Sequence, residues 1–90
     1  MRTHDLGEET VDTLLKRLRR IEGQIRGLQK MIREGRACDE VLTQMTAAKR
    51  AMESASALFM KQYIAVCAAE VAEGKEEALE QISEALKRFP

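Results

Sequence analysis

Proline occurs once in this chain, as its last residue, and glycine only five times. So few breakers argue against a loop-rich fold and leave room for long helices. There are three aromatic residues, Phe59, Tyr63 and Phe89. Two of them fall at packing positions, which is too few for a protein that binds RNA or single strands by stacking bases. There is no CxxC pair and no phosphate loop, and no His or Asp is set against the cysteines in a hydrolase pattern. With no general base or oxyanion donor visible, the chain reads as a non-enzyme. No short recognition helix follows a tight turn, which excludes an ordinary helix-turn-helix. No apolar run approaches the roughly 20 residues that span a bilayer, and no secretory signal opens the sequence. The expectation is a cytoplasmic protein without a membrane partner, in a compartment where thiols stay reduced. Strand alternation, internal repeats and low-complexity tracts are also missing, so the fold class is all-α.

Ninety residues bound this to one domain, 1–90. Three helices are expected. In the first, from Glu8 to Glu34, Val11, Leu14, Leu18, Ile21, Ile25, Leu28 and Ile32 recur at steps of three and four. Asp5 followed by Glu8 resembles a capping box, so this helix is expected to start near Asp5 after a frayed tail. Gly23 and Gly27 interrupt it. Each costs about 1 kcal/mol in a helix interior, which calls for the close approach of another helix or of DNA. Gly35 ends the helix. The second runs from Cys38 to about Ala72, with a seam of Val41, Met45, Ala48, Met52, Ala55, Phe59 and Val66. Met60, Tyr63 and Cys67 share an adjacent face. Gly74 stops it. A third, Lys75 to Arg88, has Ala78, Leu79, Ile82, Leu86 and Phe89 on its apolar side. Long amphipathic helices with so few turns bury too little surface alone, so an obligate oligomer is expected.

Net charge is zero but unevenly placed. Residues 16–36 hold eight basic residues against two glutamates, a net +6, and residues 70–84 hold six glutamates against one lysine, a net −5. A basic binding surface and a separate acidic one would account for this; so would solvated helix faces. Basic bands on long helices fit duplex phosphates.

The two cysteines are the chemical candidates. On one straight helix Cys38 and Cys67 lie about 43 Å apart at 1.5 Å per residue, so they cannot meet within a chain. They meet if two copies of the helix pack antiparallel about a two-fold axis. Paired positions then sum to 105, which puts the axis between Met52 and Glu53 and sets Met45 against Met60. The small residues Ala47, Ala48, Ala51, Ser54, Ala55, Ser56 and Ala57 suit such a crossing. Cys38, at the start of the second helix, is favoured as thiolate by the helix dipole and by Arg36 and opposed by Asp39 and Glu40. Glu70, one turn past Cys67, disfavours ionisation there. Two small buried hydrophobes remain an equally simple reading of the same pair. His4 is a metal-ligand candidate only in isolation.

The run Leu18-Arg19-Arg20-Ile21-Glu22-Gly23-Gln24-Ile25-Arg26-Gly27-Leu28, then Cys38, then Leu42-Thr43-Gln44-Met45 and Ala47-Ala48-Lys49, closely resembles the copper-sensitive operon repressor family (CsoR/RcnR). The resemblance covers nearly the whole chain. It implies an antiparallel four-helix-bundle dimer, a disc-shaped homotetramer, and operator binding that ligand or thiol chemistry releases. It also points to Arg17 and Lys49 as DNA contacts; Arg19, Arg20 and Arg50 complete the candidate set. The copper pattern, Cys then His then Cys, stands here as Cys38, Tyr63 and Cys67, and a phenol is a poor Cu(I) ligand. Ala37 and Ser83 occupy places where copper branches carry a tyrosine and a glutamate, with Glu84 adjacent to the second. Leu6 stands where nickel and cobalt branches have a histidine, and Arg2 where the formaldehyde branch has a proline. The remaining pattern is similar to the CsoR-like sulfurtransferase repressor branch. It implies a sensor in which Cys38 takes up a sulfane sulfur and Cys67 of a partner chain closes a di-, tri- or tetrasulfide, with Tyr63 nearby and no cofactor. The alternatives are Cu(I) held by the same two thiolates, a thiol enzyme, or a helical scaffold without a DNA role.

Overall fold

The computed structural model describes residues 1–89; Pro90, and with it the last residue of the expected 1–90 domain, lies outside them. A short 3₁₀ turn, Thr3–Leu6, is followed by α1 (Glu8–Arg33), α2 (Cys38–Ala72) and α3 (Glu77–Arg88). The described residues contain no strand.

The N-terminal residues are not a frayed lead-in to α1. The Asp5 carboxylate accepts the backbone N–H of Arg2 at 2.8 Å, and that bond holds its pKa below the usual carboxylate range. Leu6 is buried. Asp5 therefore closes a separate turn, and α1 begins three residues later, past Gly7. The turn packs against both α1 and α2.

Both long helices end the same way. Gly35 (φ 71°) and Gly74 (φ 91°) adopt left-handed backbone that other residues reach only with strain. After α1, Gly35 N–H bonds Ile32 O at 3.2 Å and Arg36 N–H bonds Met31 O at 3.0 Å. After α2, Gly74 N–H bonds Val71 O at 3.0 Å and Lys75 N–H bonds Glu70 O at 3.0 Å. These paired bonds satisfy carbonyls that a helix end would otherwise leave bare. Lys75 thus still belongs to the end of α2, which is why α3 starts at Glu77 rather than at Lys75.

α1 and α2 form an antiparallel hairpin, and α3 folds back along the C-terminal half of α2. The seams divide into rows. Ile21 and Leu28 of α1, and Ala48 and Ala55 of α2, are buried where the two helices meet. Leu18, Ile25 and Ile32 on α1, and Met45, Met52 and Phe59 on α2, are exposed. On α3 the buried residues are Ala78 and Ala85, while Leu79 and Leu86 point outward. The expected apolar side of α3 is thus turned, because alanines let two backbones approach more closely than leucines do.

The chain measures 57 × 26 × 13 Å. Its shortest dimension is about one helix diameter, so the helices form a single layer. Accessible surface is 6966 Å², against about 5,300 Å² for a compact protein of this mass. By length and average composition α2 could also cross a membrane, a possibility not visible as any unbroken apolar run. The average arises because alanine fills positions that charge occupies in α1.

Candidate sensing site and nucleic-acid interface

The two thiols lie at opposite ends of α2 and in opposite environments. Cys38 is the first residue of the helix and is exposed. No side chain caps the helix start. Arg36, expected to favour a thiolate at Cys38, is instead engaged by Glu40, whose carboxylate lies 2.6 Å from the guanidinium.

Cys67 has no exposed surface at all (0%). Its Sγ donates to Oε1 of Gln81 on α3 at 3.7 Å. Burial, and then the charge of Glu70, push the thiol pKa up. The N-terminal amino group and a hydrogen bond from the Tyr63 hydroxyl pull the other way without cancelling this. Cys67 is therefore kept protonated, as the sequence suggested from Glu70, but with burial as the larger cause.

Tyr63 lies one turn before Cys67 and stands where three elements meet. Its ring is 6.3 Å from that of Phe59, tilted by 49°. On one side a small cavity of about 150 Å³ runs between these rings and the N-terminal turn, touching Met1, Arg2 and Leu6. On the other a groove of about 470 Å³ separates them from Glu80, Gln81, Glu84 and Arg88 of α3. Gln81 is the site residue that sequence reasoning missed. The available signal was a polar side chain between Ala78 and Ala85 on a small-residue face.

Among the described residues no three His, Cys, Asp or Glu side chains of one chain converge on a point that could hold a metal. His4 pairs with Asp5 at 3.7 Å in an exposed position. A site using both cysteines needs two chains.

The candidate DNA residues separate into two kinds. Arg17 is half-buried, and its guanidinium donates to Ser54 Oγ at 3.2 Å, tying α1 to α2. Arg19, Arg20, Lys49 and Arg50 are exposed. The Arg17–Ser54 bond crosses the hairpin, and in that antiparallel register Lys49 and Arg50 fall close to the level of Arg20 and its neighbours on α1. Gly23 has only the tip of Arg26 near it, and Gly27 has nothing within 4 Å. The close neighbour these glycines call for is not another part of the chain.

An all-helical chain with thiols at the two ends of one long helix and bases on an antiparallel hairpin has the features of a ligand-responsive DNA regulator. The chain belongs to the metal-sensitive transcriptional repressor family, whose pattern it matches over residues 10–88. It is 40% identical over 75 residues to the copper-sensing transcriptional repressor RicR of Mycobacterium tuberculosis, covering 82% of this chain and 78% of that one. It is 31% identical over 80 residues to the copper-sensing transcriptional repressor CsoR of Bacillus subtilis, covering 87% and 79%. Among solved structures it resembles the nickel-responsive regulator InrS at a TM-score of 0.79 and 40% identity, covering 88% and 91%. The copper-sensing repressor CsoR with Cu(I) from Geobacillus thermodenitrificans superposes at a TM-score of 0.83 and 32% identity, covering 92% and 88%. These relatives are regulators of transcription rather than enzymes.

Proposed function

We propose that this protein is a cytoplasmic, single-domain DNA-binding repressor that senses reactive sulfur species, persulfides or polysulfides, through an inter-subunit dithiol, and then releases its operator. The observation that carries the reading is Tyr63. It occupies, beside Cys67, the place of the imidazole that the copper pattern requires, and soft Cu(I) gains little from a phenol. Sulfur transfer needs only a nucleophile and a resolving thiol. The exposed Cys38 attacks the sulfane sulfur of a persulfide RS–SH, forming Cys38–S–SH and releasing RS⁻. Cys67 of the partner chain then displaces hydrosulfide, giving a Cys38–Cys67 disulfide, and the thiol proton leaves with it as H₂S. The donor's sulfane sulfur is the oxidant, so no other is needed.

The partner is a second copy. The exposed row Met45, Met52 and Phe59 on α2 fits an antiparallel dimer with its axis between Met52 and Glu53. The exposed leucines of α3 offer a further surface for pairing dimers into a tetramer. Operator phosphates are met by Arg19, Arg20, Lys49 and Arg50, with Arg17 both contacting DNA and holding the hairpin.

Cu(I) bound by Cys38 and Cys67 is the second reading, and the copper-sensing relatives favour it. The two are separated by treating the protein with an organic persulfide and, in parallel, with Cu(I). The sulfur reading expects a covalent dimer on a non-reducing gel, reversed by reductant, with loss of operator binding. Cys67→Ser should form a Cys38 persulfide by mass but no covalent dimer, and Cys38→Ser should barely react. Tight Cu(I) binding with DNA release, together with indifference to persulfides, would overturn it. Lys49→Ala should weaken operator binding and flatten its salt dependence. For Arg17→Ala the control is Ser54→Ala, which breaks the α1–α2 bond while leaving the charge. If Lys49→Ala and Arg17→Ala both bind normally, the DNA surface lies elsewhere.

A further inference from the structure

The dithiol chemistry meets an obstacle in the folded chain: Cys67 is covered by α3. The Cys67–Gln81 hydrogen bond is the only side-chain hydrogen bond or ion pair that joins α2 to α3 among the described residues. The rest of that contact is apolar: Ala78 and Ala85, which bury little area each, the half-buried Ile82, and the half-buried Phe89 that closes α3 beside Met52 and Ser56 of α2. The one polar link between α2 and α3 thus depends on the thiol proton.

We propose that Gln81 couples the chemical state of Cys67 to α3, so that loss of the Cys67 proton loosens α3 from α2. A thiol has one proton to donate. A sulfur in a disulfide has none, and neither does a metal-bound thiolate. When Cys67 displaces hydrosulfide from the partner's persulfide, its S–H bond breaks, its S–S bond forms, and the proton departs in H₂S. Gln81 Oε1 then faces a sulfur that cannot donate. The same step requires the incoming Cys38 to reach a sulfur that α3 covers. Opening of α3 and reaction at Cys67 therefore favour one another, as any pair of linked equilibria must. Gln81 acts here as a positioning residue. The inference rests on the reading of Cys67 as a sensing thiol, but sulfur and Cu(I) would both remove the proton.

The test is amide hydrogen exchange of residues 77–88 in the reduced full-length protein, without inducer. Cys67→Ala, which removes the donor, should speed α3 exchange by about two- to fivefold, the range for loss of one weak thiol hydrogen bond. Cys67→Ser, which keeps a donor, should not. Gln81→Met should match Cys67→Ala, and the double variant should be no faster than either single. If Gln81→Met does not fold, Gln81→Asn, one methylene too short to reach, takes its place. Additive effects in the double variant, or a Cys67→Ser protein as fast as Cys67→Ala, would overturn the coupling. The outcome is separable from the sensing reading. Coupling in this cycle beside a Cys67 that persulfide and Cu(I) both leave unmodified would sink the sensing reading alone, while a bridged Cys67 with an additive cycle would sink the coupling alone.

Discussion

Two cysteines of one helix differ by position alone. Cys38 begins α2 and meets solvent, whereas Cys67 is enclosed between α2 and α3 with its S–H donating to Gln81. Iodoacetamide at neutral pH should therefore label Cys38 first, by an order of magnitude or more, and mass spectrometry of timed samples reads this directly. The raised pKa of Cys67 also fixes a direction for stability. The folded state holds this proton more tightly than the unfolded chain does. Its contribution is then complete below the ordinary thiol pKa of about 8.5 and is lost as pH rises through the raised value. Urea midpoints measured from pH 7 to pH 10 should fall more steeply for the native protein than for Cys67→Ser. Equal slopes would mean that the thiol is not held as described.

The helices themselves contain positions where local cost and function are at odds. Gly27 sits within α1 with nothing within 4 Å of the Cβ it lacks. Replacing it by alanine should stabilise the free protein by about 0.5–1 kcal/mol, because glycine loses more backbone freedom on folding. If α1 lies along operator DNA at this point, the same substitution should weaken operator binding by crowding the backbone. A denaturation curve and an operator titration on Gly27→Ala test the two halves. Stabilisation without loss of DNA binding would remove α1 near Gly27 from the interface. Gly35 offers the contrast. With φ at 71° it closes α1, and alanine there should destabilise rather than stabilise.

For the whole molecule the deciding quantity is thickness. A single layer 13 Å deep cannot enclose a core, since stable domains pack at least two layers over shared apolar faces. Radius of gyration is 17.2 Å, against about 12 Å for a compact chain of this length. Leu18, Ile25, Met45, Met52 and Phe59 lie open on the sheet-like slab of helices. A second copy covering them would restore two layers. Met52→Glu, at the proposed axis, would set two carboxylates against each other in an apolar contact. Sedimentation should show loss of the dimer, with loss of helical circular dichroism at the same concentrations. A folded monomer with full helicity would show that the slab is stable alone. Conversely, a dimer that keeps every Cys38–Cys67 pair more than about 12 Å apart would rule out both the sulfur and the copper chemistry, since bridging needs Cα atoms within about 7 Å.

Spacing along the chain is enough to define α2 from Cys38 to Ala72, the two glycine stops, the split of charge and, of the inequality of the thiols, the smaller part that Glu70 adds. These depend on helical period, on backbone that glycine alone reaches easily, and on neighbours within one turn. Their causes are local, so a linear pattern carries them. The same period cannot say which neighbour covers a face. That is why one expected seam on α2 divides into a row against α1 and an open row, and why α3 turns its alanines inward. It is also why Arg17 bonds Ser54, 37 positions away, and why the turn at Thr3–Leu6 docks near Tyr63 instead of fraying. Gln81 is the sharpest case. Fourteen residues separate it from Cys67, with a helix end and a reversal of direction between them. A carboxamide finds that thiol only after the chain has turned back and packed, because hydrogen bonds depend on distance in space and on nothing that sequence separation preserves.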